Sequence, residues 1–240
     1  MNLFIIIMTF SNKDRILVMV AHPDDEILGC AGTLYNAVKS KSKIKIVYLG
    51  EGVSSRFPIG NELSKASLRA KITREKEAKK ALKILKIKDF IFGSKFCTKF
   101  DTYPLSEFIS EVEKTISNFK PNIIFTHSNR DLNIDHGIVH KAVMTASRPK
   151  MLNTIKQIYS FEVPCSSNWI YEDKFNPNVY VDISDCIKVK QKAFQCYKNE
   201  TRPFPFPRSK IGIDTLAKFR GMQSGLKYAE AFKLERGIFF

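Results

Sequence analysis

From Arg15 onward the chain alternates short β-branched runs with longer stretches of helical periodicity, and this confines it to a mostly parallel sheet covered by helices. Strands are expected at residues 16–20, 44–49, 89–92 and 122–126, each a short apolar run of the kind buried on both faces. Helices are expected at 26–39, 61–86, 104–119, with Pro104 in the first turn, and 135–146. After Pro149 the regularity fades into strands at 154–163 and 179–183, a helix to Tyr197, a proline-rich segment from Pro203 to Pro207, and a last helix and strand through residues 229–232. No repeat or linker interrupts this order. The expectation is an α/β chain with a Rossmann-like three-layer fold, forming a single domain over 1–240 whose strand and helix extension, 150–240, packs on the sheet and shapes the substrate site.

Size and charge narrow the function classes. With 240 residues, 44% of them hydrophobic and 26% charged, the chain can bury a sizeable core, which excludes disorder and fibre. Five widely spaced cysteines without a CxxC pair point to reduced thiols and a cytoplasmic location. The apolar run at residues 3–10 is too short to span a bilayer and has no basic residues before it, so 1–10 reads as a tail, or as a misassigned start ahead of Met8. No other window reaches membrane length. The 39 basic against 24 acidic residues leave +15, which either steers a phosphate-bearing substrate or reflects a biased composition. On the long helix, Arg69, Lys71, Arg74, Lys76, Lys79, Lys80, Lys83 and Lys86 surround an apolar stripe of Leu68, Ile72, Ala78, Leu82 and Leu85. Glu75 and Glu77 interrupt these charges and no aromatics interleave, so a solvated face is expected and no specific nucleic-acid partner.

Directly after the first strand comes Ala21-His22-Pro23-Asp24-Asp25-Glu26, where open α/β sheets place their ligands. One imidazole and three carboxylates within five residues exceed what a turn needs. Asp24 and Asp25 could cap the following helix, but capping does not explain His22. A second cluster follows the fourth strand: three of the four histidines, His127, His136 and His140, lie within 14 residues, together with Asp131, Asn133 and Asp135. Parallel strands bring both clusters to one sheet edge, and two imidazoles plus a carboxylate with an open fourth position make the ligand set of a catalytic zinc. There is no Walker loop, GxGxxG or HExxH, and Gly29 and Gly32 read as positions of close packing between the first helix and the sheet.

These residues resemble the LmbE-like (PIG-L) family of zinc-dependent deacetylases, which acts on N-acetylglucosamine derivatives. The AHPDDE stretch is similar to its first motif. Segments around Asp101, His127, Asp131 to His136, Glu162, Arg208 and Tyr228 to Phe232 extend the resemblance over nearly the whole chain. It implies that His22, Asp25 and His136 hold zinc, or another divalent transition metal, and that Asp24 is the general base. A zinc-bound water would then attack the amide, and protonated Asp24 would return the proton to the departing amine. The chain departs from the pattern where several branches have a histidine that assists the oxyanion, since Asn133 stands there and can donate a hydrogen bond only as a neutral amide. His127 is the other candidate for that task. Asp135 and His140 are expected behind the ligands, and Arg56, Asp101 and Arg208 at the rim as substrate contacts.

The function so implied is hydrolysis of an N-acyl group, acetyl foremost, from an amino-sugar derivative, the acceptor being a nucleotide sugar, lipid-linked sugar, thiol glycoside or antibiotic precursor. The rival is a non-catalytic basic protein that binds nucleic acid or a membrane surface around a structural metal. A structural zinc takes four protein ligands, whereas three are assigned, and Asp24 has no purpose in a binder.

Overall fold

The computed structural model describes residues 8–149 and 154–239. Its middle layer is a seven-stranded sheet in the order β3-β2-β1-β4-β5-β7-β6. The strands are β1 (Arg15–Val20), β2 (Lys43–Gly50), β3 (Asp89–Lys95), β4 (Ile123–His127), β5 (Gln157–Phe161), β6 (Val179–Asp182) and β7 (Ala229–Gly237). The first five pair in parallel, and β7 runs antiparallel to both β5 and β6. The helices are α1 (Asp25–Lys39), α2 (Lys65–Leu85), α3 (Leu105–Phe119), α4 (Ile134–Ala146), α5 (Ile187–Phe194) and α6 (Lys210–Ser224).

Strand residues alternate between two cores. Ile16, Val18 and Val20 face α1, α2 and α5, while Leu17, Met19 and Ala21 face α3 and α4. Cover on both faces is why β1 reads as an unbroken apolar run. Each fully buried aliphatic side chain of this kind contributes about 1.5–3 kcal/mol. The chain builds outward from β1 to β3 and then returns to lay β4 on the other side of β1. The carboxyl ends of β1 and β4 therefore flank the crevice at which the strand order reverses.

Two helices differ from expectation in ways that bear on the site. Helix α2 begins at Lys65, because the Ser64 side chain accepts from Ser67 N at 3.2 Å and caps it. Leu68 and Ile72, expected in its apolar stripe, are exposed, and the buried face carries Ser67, Arg74, Glu77, Ala78, Ala81, Leu82 and Leu85. Arg74 is thus not on the solvated face. Helix α1 is broken at Cys30 (φ −143°, ψ 17°). Past the break, Gly32 N and Thr33 N donate to the two oxygens of Glu230 at 2.9 and 2.8 Å. Lys190 Nζ joins Glu230 to the Leu28 carbonyl, each at 2.7 Å. A β-carbon at Gly29 would stand 2.2 Å from the Phe161 ring, and one at Gly32 would stand 2.5 Å from Ile183, so both positions permit the close approach their spacing implied.

Of the expected N-terminal tail, residues 1–7 lie outside the described residues, whereas Met8 and Phe10 pack against the core. Among the described residues no helix is long and apolar enough to cross a membrane. All five cysteines are free thiols.

Candidate active site

The turn between β1 and α1 sets the site. His22 N donates to Asp25 Oδ2 at 2.8 Å, and Asp24 sits at φ 133°, a conformation that costs a non-glycine residue free energy and needs support from its surroundings. Support comes from Glu26, whose Oε2 accepts from Asp24 N at 3.1 Å and whose Oε1 accepts from the Tyr197 hydroxyl at 2.9 Å. The Asp24 carboxylate makes no capping bond to α1, so helix capping does not account for it.

His22, Asp25 and His136 converge, with ligand atoms all within 4.8 Å of one another. His22 Nδ1 lies 3.6 Å from Asp25 Oδ2, and His136 Nε2 lies 3.5 Å from Asp25 Oδ1. The other nitrogen of each ring meets a carboxylate: His22 Nε2 meets Asp135 Oδ2 at 2.8 Å, and His136 Nδ1 is 3.1 Å from Asp131 Oδ2. Metal-binding histidines are oriented in this way, one nitrogen held by an outer carboxylate and the other free for the ion. Neither ring nitrogen of His136 makes a hydrogen bond of good geometry: Nδ1 has only the 3.1 Å approach of Asp131, and Nε2 is left facing Asp25 as a metal-binding nitrogen would be. The residues present therefore fit a divalent transition metal with room for a non-protein ligand. Burial works against ionisation of Asp25, but the His136 and His127 rings outweigh it and hold the carboxyl well below its ordinary range. The Asp25 and Asp131 carboxylates likewise overcome burial at His136 and raise it to about 9.

Cys97 forms a second group with His22 and Asp135. There Asp135 is already occupied, accepting from Thr98 N at 2.6 Å and Phe100 N at 3.0 Å as well as meeting His22. It bonds the His22 ring at the nitrogen turned away from Asp25.

Asp24 lies beside this group, 3% exposed, with Oδ2 at 3.2 Å from Arg208 Nη1 and 3.4 Å from Arg74 Nη1. Burial raises its carboxyl, and the Arg208 and Arg74 guanidiniums oppose that shift. Glu200 accepts from both arginines and from Arg56. Arg74 also donates to the Pro23 carbonyl at 2.8 Å, fixing the turn itself.

Of the remaining expected residues, His127 touches this group and the others stand farther out. His127, wholly buried at the end of β4, accepts from Ala21 N at its Nε2 (2.9 Å) and stacks on His136 with ring centroids 3.9 Å apart. Burial and the neighbouring His136 lower it to about 4, which favours the neutral ring and weighs against the imidazolium considered for the oxyanion. His140 Nδ1 bonds the His127 carbonyl at 2.9 Å and supports that strand end. Asn133 caps α4, its Oδ1 accepting from Asp135 N at 3.0 Å. Arg56 reaches the site only through Glu200, and Asp101 is exposed on the short turn after β3.

Arg74, Asp131 and Glu200 were not among the expected site residues. Asp131 stood within the second cluster and could have been found from the need of a ligating histidine for a carboxylate partner. Arg74 looked like one basic residue among many, and nothing local marked Glu200.

Residues 17–147 match the family described as PIG-L, GlcNAc-PI de-N-acetylase. The chain is 30% identical over 200 residues, 80% of its length and 96% of the relative's, to the uncharacterized deacetylase YaiS of Escherichia coli (strain K12). It is 26% identical over 242 residues, 96% of its length and 86% of the relative's, to the diacetylchitobiose deacetylase of Thermococcus kodakarensis. Among solved structures, the 4-carboxy-2-hydroxymuconate hydratase GalB of Pseudomonas putida KT2440 superposes with a TM-score of 0.73 at 18% identity, covering 95% of this chain and 98% of that one. That likeness is one of fold alone, so the chemistry has to be argued from the site. The matched segment carries His22, Asp24, Asp25, Arg74, Asp131, Asp135 and His136, takes in more than half of the sequence, and agrees with the near full-length likeness to two deacetylases: this chain belongs to the PIG-L (LmbE-like) family.

Proposed function

We propose that this protein is a hydrolase that removes an N-acyl group, acetyl foremost, from an amino-sugar derivative of the N-acetylglucosamine type. His22, Asp25 and His136 would hold a divalent transition metal, zinc in the first instance. The observation that carries this reading is the arrangement of two imidazoles, each turned by an outer carboxylate so that its other nitrogen faces Asp25, with a further carboxylate, Asp24, enclosed beside them. When bound, such a metal polarises an acyl oxygen and lowers the pKa of water toward neutrality. Asp24 takes the proton of the attacking water as its oxygen adds to the amide carbon. It then gives that proton to the nitrogen as the C–N bond breaks, releasing the carboxylic acid and the free amine. Arg208 and Arg74 hold the Asp24 carboxylate in place and favour its ionised form at the start of the cycle. Asn133, whose Oδ1 is engaged by the cap, has its amide N–H groups to offer the developing oxyanion.

The C-terminal part contributes Glu200 and Arg208 to the same site, which supports a single catalytic domain. Five free thiols favour a reducing compartment such as the cytoplasm. The test is metal content together with acetate release from N-acetylglucosamine conjugates by the purified, zinc-loaded protein. His136→Ala is expected to lose both stoichiometric metal and turnover. A His136→Ala protein that kept both would overturn the ligand assignment.

A further inference from the structure

Beside Asp24 lies a cleft of about 390 Å³, large enough for one sugar ring or an aromatic group. Its walls include Leu132, Ile134 and Trp169, large apolar side chains that are 54%, 56% and 44% exposed. Among the described residues Arg208 is the one charged side chain lining the cleft. Its Nη1 lies 3.2 Å from Asp24 and 3.3 Å from Glu200, and its Nε donates to the Pro164 carbonyl at 3.1 Å. A phosphate placed here would meet one cation that is already shared by two carboxylates, would approach those carboxylates and would be desolvated against apolar walls. The other polar residues along the cleft, Thr98, Asn133 and Ser166, are uncharged, and the Ser166 hydroxyl is buried without a hydrogen-bond partner.

The walls are built in advance of any ligand. Leu132 N donates to Ser166 O at 3.2 Å, and Trp169 N donates to Cys165 O at 3.0 Å. The Ser167 hydroxyl donates to Asp131 Oδ2 at 2.6 Å, the same carboxylate oxygen that faces His136. The Trp169 ring meets Phe206 edge-on at 5.8 Å. The cleft wall is thus tied through Arg208 to Asp24 and through Ser167 and Asp131 to His136, so a substrate whose amide reaches Asp24 can extend into it.

We infer that the part of the substrate beyond the reacting amide is uncharged and presents an apolar face to Trp169, as the C–H face of a second pyranose or an aryl aglycone does. The inference rests on the deacetylase reading above. It assigns the +15 charge of the chain no part in holding the substrate at this cleft.

Four probes test it on the zinc-loaded protein: the methyl, phenyl and N-acetylglucosaminyl β-glycosides of N-acetylglucosamine, and N-acetylglucosamine 1-phosphate. The phenyl glycoside and the disaccharide are expected to exceed the methyl glycoside in kcat/KM by about tenfold, the scale of one well-placed aromatic contact. The phosphate should give no gain over methyl. Trp169→Ala should bring the phenyl-to-methyl ratio to near one, and Ser166→Ala should lower the disaccharide-to-methyl ratio while sparing the phenyl ratio if the natural occupant is a sugar. A phosphate preferred over methyl, or a phenyl-to-methyl ratio unchanged in Trp169→Ala, would overturn the inference. Trp169 is the only tryptophan in the chain, so its emission reports occupancy without turnover. Saturable emission changes with the neutral glycosides and none with the phosphate support the inference, and the reverse pattern overturns it. If no probe is deacetylated, the hydrolase reading fails, and the emission titration still decides what the cleft accepts.

Discussion

The two acids of the first motif differ in role because their neighbours differ. Asp25 faces three histidines and Asp24 faces two arginines, and that division is set largely by elements far apart in sequence. Asp24→Asn is expected to keep the metal and the fold and to lose turnover by about a hundred- to ten-thousand-fold, because an amide cannot accept the water's proton. Near-normal rates at full metal occupancy would place the base elsewhere. At Asn133 the structure allows two roles to be separated: Asp and Ser both cap a helix well, but an ionised Asp cannot donate a hydrogen bond. Asn133→Asp should therefore leave the unfolding midpoint close to that of the native chain while turnover drops about a hundred- to a thousand-fold. Undiminished turnover would leave Asn133 with the cap alone. At this scale the residues that converge on Asp25 were legible because they are packed into two short segments. The surroundings of His127 were not, since they depend on the stacked His136 and on the Ala21 N–H, contacts made only when β1 and β4 lie side by side.

Among the elements, α1 and α2 show where patterning reaches its limit. The strands between Arg15 and His127 were readable within one to three residues: β1, β2 and β4 hold buried apolar runs, and the largest miss is at the edge strand β3, whose end at residues 93–95 carries no apolar signal. The burial of Arg74 was hidden because helical periodicity marks the face that turns inward by its apolar residues, and here part of that face is a charged pair meeting Asp24 and Glu200. The break in α1 has no local signal either, because the group that stabilises it, Glu230, lies in β7 near the other end of the chain. Lys190 and Glu230 are both buried, so removing the carboxylate strands an ammonium group and two backbone N–H groups. Glu230→Ala is expected to lower the unfolding free energy by about 3–5 kcal/mol in denaturant titrations, and Glu230→Gln by less, since the amide oxygen still accepts. A loss below about 1 kcal/mol for the alanine variant would show that the two halves of α1 hold their geometry without it.

For the molecule as a whole, the proposed ligands follow the two strands that flank the reversal point of the sheet. His22 and Asp25 follow β1, and His136 lies in the helix after β4, so one ion would clamp two branches of the fold. A metal at a hundred times its Kd adds about 2.7 kcal/mol to stability, which for a chain of this size raises the unfolding temperature by about 5–10 °C. Comparing chelator-stripped and zinc-loaded protein by calorimetry checks this, and His136→Ala should abolish the difference. Equal midpoints for stripped and loaded native protein would remove the clamp. The parallel layout up to β4 could be read from the sequence, whereas the antiparallel return of β7 between β5 and β6 could not, because adjacency there is settled by long connections that carry no pairing signal. The bond from Ser167 to Asp131 makes the loop that lines the cleft also a guardian of the His136 ring. If the cleft takes the substrate, a lineage that diversifies its substrates by altering residues 164–169 is free at most of those positions and bound at one: a hydroxyl at 167 has to survive each change around it, or new selectivity arrives with a slackened His136.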